Sequence, residues 1–198
     1  GTQYFDNGKI MYHGEYRAGL PHGHGTAYHR ETGHKAYEGH FQKGERDGNG
    51  TRYFDNGKLE YHGEFRAGLP HGHGALYHRE TGHKAYEGHF QKGLQDGNGT
   101  AYFDNGKLEY HGEFRAGLPH GHGTAYHRET GHKAYEGHFQ KGKQEDDGTQ
   151  YSGDGKLVYH GEFRAGLPHG HGTAYHRKTG RTAYEGHFQK GLQDGNGT

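Results

Sequence analysis

Aromatic and polar residues alternate along short stretches of this chain. Tyr12, Gly14 and Tyr16 are interleaved with His13, Glu15 and Arg17, a period of two that predicts a half-buried β-strand. The pattern returns in Tyr37-Glu38-Gly39-His40-Phe41. Turn signals separate such stretches: Gly19, Thr32-Gly33 and Asp55-Asn56-Gly57-Lys58, in which glycine supplies the positive φ that tight turns need. No stretch places apolar residues at a 3.6-residue period, so little or no helix is expected.

The alternation is itself periodic. Tyr12-His13-Gly14-Glu15 recurs from Tyr61, Tyr110 and Tyr159, at steps of 49 residues (61 − 12, 110 − 61, 159 − 110), and the Tyr37 motif recurs from Tyr86, Tyr135 and Tyr184 at the same step. The underlying unit is about half of that, with starts at 12, 37, 61, 86, 110, 135, 159 and 184, and residues 1–11 read as the second half of a unit. A period in this range signals a solenoid or linear array, here one array over residues 1–198. Function in such arrays lies on an extended surface, because each unit touches only its neighbours. Seven of the eight units carry Gly-x-Gly at a fixed distance, as in Gly23-His24-Gly25 and Gly48-Asn49-Gly50. The exception is Asp146-Asp147-Gly148, where a local distortion of the ladder is expected.

Eight Tyr-x-Gly motifs in register, with the Gly-x-Gly that follows, resemble the MORN (membrane occupation and recognition nexus) repeat over nearly the whole chain. The resemblance implies an all-β fold: an elongated, single-layer, twisted antiparallel sheet of stacked β-hairpins. About sixteen strands at ~4.8 Å would make it roughly 75 Å long.

Composition changes what the core is made of. The apolar fraction is 27% and glycine supplies 41 of 198 residues, too little aliphatic matter for a globular domain of this length. Disorder is excluded by 17 tyrosines and 10 phenylalanines at fixed positions. Ring stacking holds a thin sheet together, since an aromatic buries much area for few rotamers. The absence of cysteine excludes a disulfide framework, a thiol nucleophile and thiolate-bound metal. No apolar run approaches the ~18 residues of a membrane span, and residues 1–20 show no signal-peptide pattern. The residues fix no compartment; a soluble, cytoplasmic setting fits them. Lys+Arg and Asp+Glu both total 24, and the signs are mixed locally. That surface is a poor ligand for nucleic acid or anionic lipid at neutral pH. Residues 12–60 and 61–109 differ at six positions, which points to a recent duplication or an engineered array, the scattered differences favouring duplication.

Histidine is the anomalous residue: His13, His22, His24, His29, His34 and His40 fill one module, and Arg181 replaces the last expected copy to leave 23. Imidazole suits Zn, Ni and Cu. The His-x-His pairs His22/His24, His71/His73, His120/His122 and His169/His171 would place two rings on one face of a strand. Zn or Ni held there would be adventitious, and no cofactor is expected. Acidification would add up to 23 charges to a neutral chain, and stability is expected to fall between about pH 7 and 5. Catalysis is not expected, because Glu15, Glu38 and Glu64 recur with the repeat and no nucleophile motif accompanies them. Gly-x-Gly here lacks the helix and lysine of a phosphate loop.

The reading that emerges is a scaffold binding a protein or peptide, helical or extended, along an aromatic, glycine-lined face. Its framework is Tyr12, Tyr37, Tyr61, Tyr86, Tyr110, Tyr135, Tyr159 and Tyr184, flanked by Phe41, Phe65, Phe90, Phe114, Phe139 and Phe163. Two alternatives remain: a membrane-surface protein favoured at low pH, and a metal- or pH-responsive polymer. The polymer would grow head to tail, Gly1-Thr2-Gln3-Tyr4 of one chain completing the half-unit that ends Asn196-Gly197-Thr198 in another.

Overall fold

The computed structural model describes residues 1–195 and 197, so two members of that last tripeptide, Asn196 and Thr198, lie outside the described residues. Seventeen strands and no helix are found among the described residues. The chain divides into two compact units: Gly1–Gln95 with Asp104–Gly106, and Asp96–Phe103 with Lys107–Thr198.

The first unit contains β1 (Thr2–Tyr4), β2 (Ile10–Arg17), β3 (Leu20–Tyr28), β4 (Lys35–Gln42), β5 (Glu45–Tyr53), β6 (Leu59–Arg66), β7 (Leu69–Tyr77) and β8 (Lys84–Gln91). Each pairs antiparallel with the next. The second contains most of β9 (Leu94–Tyr102), then β10 (Leu108–Arg115), β11 (Leu118–Tyr126), β12 (Lys133–Gln140), β13 (Lys143–Tyr151), β14 (Leu157–Arg164), β15 (Leu167–Tyr175), β16 (Thr182–Gln189) and β17 (Leu192–Asp194). These too pair antiparallel in chain order. Each unit is therefore an open sheet of stacked hairpins, as the resemblance implied.

Two kinds of turn build the hairpins. At one end β2 and β3 are joined by Ala18 (φ 50) and Gly19 (φ 78), and β4 and β5 by Lys43 (φ 52) and Gly44 (φ 86). Two consecutive positive φ values define a type I′ turn, whose twist matches that of the strands it joins. The sequence reading recognised Gly19 but not Ala18, which adopts the left-handed conformation without being glycine. At the other end Phe54 N–H donates to the Lys58 carbonyl at 2.8 Å, and Gly57 N–H to the Phe54 carbonyl at 2.9 Å.

Glycine sets the register across the sheet. In the first unit Gly14, Gly25, Gly39, Gly50, Gly63, Gly74 and Gly88 are successive pairing partners. The second unit repeats this from Gly99 through Gly112, Gly123, Gly137, Gly148, Gly161, Gly172 and Gly186. The reason is steric: a Cβ on Gly25 would sit 2.0 Å from the Tyr12 Oη, and one on Gly50 2.1 Å from the Tyr37 Oη. A tyrosine ring edge and hydroxyl lie against Gly25, Gly50 and Gly74 in the first unit and against Gly123, Gly148 and Gly172 in the second.

The distortion expected at Asp146 lies on one side only: against β12 the register shifts between the Gly137–Gly148 and His138–Glu145 pairs, leaving Asp146 and Asp147 without a partner there, whereas the β14 side is regular. Asp146, Asp147 and Gly148 pair with Phe163, Glu162 and Gly161. Asp146 takes φ 56, in the left-handed region where Gly48 has φ 80. Aspartate tolerates that region better than most residues, so the pairing with β14 is kept.

Candidate partner-binding surface

The aromatic residues expected to flank a partner are the core. All fourteen framework rings have 9% or less of their surface exposed, and Tyr37, Tyr61, Tyr86 and Tyr135 have none. Phe188, at 5%, belongs with them. Phe41, Phe65, Phe90, Phe139, Phe163 and Phe188 are each wedged between two tyrosines. Phe41 lies 5.0 Å from both Tyr12 and Tyr37, and Phe65 lies 5.1 Å from Tyr37 and 4.9 Å from Tyr61, all edge to face. Phe139 and Phe163 repeat the arrangement in the second unit at 5.0–5.1 Å. Edge-to-face pairs at this spacing add about 0.5–1.5 kcal/mol each beyond area burial.

Every tyrosine hydroxyl in the stack donates to the carbonyl three residues on: Tyr12 to Glu15 at 3.1 Å, Tyr37 to His40 at 3.0 Å, Tyr61 to Glu64 at 2.9 Å. Burial pushes the hydroxyls of Tyr37, Tyr135 and Tyr159 up to about 12, and raises those of Tyr12, Tyr61 and Tyr110 for the same reason. The framework rings thus pack on one another and offer a partner little surface.

What stays reachable is the opposite side of the glycine row. There the floor is backbone and the walls are polar. His111, His122, Thr124 and Glu136 surround Gly112, Gly123 and Gly137 in a shallow depression of about 330 Å³. His160, His171, Thr173 and Glu185 do the same over Gly161 and Gly172, with about 250 Å³. The expected surface is glycine-lined but walled by histidine, threonine and glutamate. Glu136 binds Lys133 at 2.9 Å, and that hydrogen bond raises the ammonium above its usual range.

The repeat gives the histidines separate tasks. His62 and His111 bond through Nδ1 to the hydroxyls of Thr51 and Thr100 at 2.9 Å. His29 bonds through Nε2 to the Tyr53 carbonyl at 2.9 Å, and His34 through Nδ1 to the Asp55 carbonyl at 2.8 Å. These two clasp adjacent turns. His22 lies at the hairpin tip, lining a depression of about 350 Å³ with Arg17, Leu20 and Lys43.

The His-x-His pairs are not arranged as regular alternation demands. Gly23 between His22 and His24 has φ +64, and its Cβ position is filled by the Glu15 carboxylate at 2.5 Å. Glu15 stands opposite three residues, His22, Gly23 and His24, in a bulge between the Gly14–Gly25 and Tyr16–Pro21 pairs. The ring contact of His24 is across the strands, with His40 at 4.3 Å. His73 meets His89, His122 meets His138 and His171 meets His187 in the same way. Reading one strand at a time hid this, since the signal lies in a pairing register, not in a spacing. Leu20, Leu69, Leu118 and Leu167, each 48–49% exposed, fall outside the aromatic alternation. They form an apolar position repeated at the hairpin tips.

The MORN repeat profile matches residues 12–29, 37–58, 61–78, 86–107, 110–127, 159–177 and 184–198, and a MORN repeat variant matches residues 1–18. No curated protein matches the sequence. The segment from Tyr135 has no profile match, yet β12 and β13 form and Tyr135 is wholly buried.

Proposed function

The chain belongs to the MORN repeat family, and from that membership we propose that it is a non-catalytic scaffold holding a protein or peptide segment along the glycine-floored groove. Repeats of this kind build scaffolds, often membrane- or protein-binding, and are in general not enzymes.

One observation carries the reading: the same polar walls and backbone floor recur over Gly112–Gly123–Gly137 and over Gly161–Gly172. An extended segment presents donors and acceptors at a regular interval, and a repeated set of side chains at strand spacing meets them in register. The buried rings serve as framework, keeping the floor rigid so that little ordering is needed when a partner docks. Mixed histidine, threonine and glutamate walls suit a polar segment carrying no large net charge.

The test is a peptide selected from a display library on the whole chain. Thr124→Arg with Thr173→Arg fills both depressions from half-buried positions and should weaken binding tenfold or more with the melting temperature unchanged. If the peptide binds this variant as before, and is lost instead when Leu20, Leu69, Leu118 and Leu167 become serine, the hairpin tips are the binding surface and the groove is not.

A further inference from the structure

We propose that the cross-strand histidine pairs His24/His40, His73/His89, His122/His138 and His171/His187 are two-imidazole sites for a nitrogen-seeking divalent cation, Zn(II) or Cu(II), four to a chain. Members of each pair are direct partners on neighbouring antiparallel strands. Their ring centroids are 4.3, 5.9, 5.4 and 4.5 Å apart.

That spacing is what one shared cation requires. With metal–nitrogen bonds of about 2.0–2.1 Å, each ring centre lies about 3.2 Å from the metal. Two rings are then roughly 4.5–5.2 Å apart for ligand angles between about 90° and 109°. The four observed values bracket the window, and small ring rotations bring each pair into it. Seven of the eight histidines are exposed and His138 is half-buried, so a cation arrives without unfolding. The ladder fixes the backbones in advance, so only side-chain freedom is lost on binding.

The surroundings favour a cation. The Glu15 carboxylate accepts the His24 backbone N–H at 3.1 Å, and Glu64, Glu113 and Glu162 do the same for His73, His122 and His171. One negative charge thus stands beside every pair. In the third pair Asp146 Oδ2 is also 3.5 Å from His138 Nδ1, so this pair fills first. Among the described residues no three ligating side chains converge on a point. Water therefore completes the shell, and the cation remains exchangeable.

The experiment is calorimetric titration of the whole chain with Zn(II). Four equivalents should bind, and H138Q alone should remove the tightest and leave three. Removing one ring from every pair (H40Q, H89Q, H138Q, H187Q) should abolish the binding, whereas H22Q, H71Q, H120Q and H169Q together should leave four equivalents. Loss of zinc in the second set with retention in the first would overturn the cross-strand assignment. The unaltered chain supplies a check that needs no variant. With one equivalent of Cu(II), its paramagnetic resonance spectrum should show splitting by two imidazole nitrogens; one nitrogen, or aqueous copper, would overturn the proposal.

Discussion

At the scale of single residues, stability rests on a tyrosine lying on a glycine. A Cβ on Gly74 would come 2.2 Å from the Tyr61 Oη and 2.5 Å from Cζ, with the ring wholly buried and nowhere to retreat. Gly74→Ala should therefore cost at least the upper end of ordinary overpacking, about 3 kcal/mol. Tyr61→Phe keeps the ring and loses only the donor to the Glu64 carbonyl, 2.9 Å away, and should cost about 1 kcal/mol. Urea midpoints of the two variants decide the matter. If the phenylalanine variant is the weaker, the hydrogen bond and not the close approach holds the stack.

At the scale of the element, the type I′ turns are built with a residue that resists them. Ala18, Ala67, Ala116 and Ala165 all have φ near 50, a conformation that costs an L-residue roughly 1–2 kcal/mol. Asparagine tolerates it better, so Ala116→Asn should stabilise by up to about 1 kcal/mol. The four changes together should add nearly independently, since the turns are far apart in sequence and share no partner. A melting temperature lowered by Ala116→Asn would mean that the methyl group makes a contact worth more than the strain. Strands, hairpins and the glycine row were legible in the sequence because alternation and punctuation are local. The turn at Gly19 was legible too, but the left-handed Ala18 before it was not, because Ala-Gly carries a weaker signal than Asn56-Gly57. The His24–His40 contact was illegible for a different reason: it depends on which residue of β4 faces which residue of β3, where Gly23, His24 and Gly25 pair with Phe41, His40 and Gly39.

At the scale of the whole molecule, the buried hydroxyls set an alkaline limit. Tyrosine is neutral when protonated, and the folded state holds the protons of Tyr37, Tyr135 and Tyr159 until about pH 12. An unfolded chain releases them near 10. Below pH 10 both states are protonated and these groups contribute their full stability. From 10 to 12 each withdraws about 1.4 kcal/mol per pH unit. Unfolding should therefore set in above pH 10, with tyrosinate absorbance of the buried set rising in one step alongside the loss of sheet signal. A gradual titration of all 17 tyrosines centred near 10, with the fold intact, would contradict this. The uniformity of the ring stack has another consequence, for how the chain reaches its fold. Tyr37 receives Phe65 at 5.1 Å, Tyr61 receives Phe90 at 5.2 Å and Tyr135 receives Phe163 at 5.0 Å, so each wedge fits each socket. A hairpin that skips a module and docks 49 residues too far along meets the same rings and the same glycines. Correct order is then enforced by loop-closure entropy, which favours the nearer copy, so shuffled, slowly correcting species should accompany rapid refolding and be scarce when the modules emerge one at a time during synthesis.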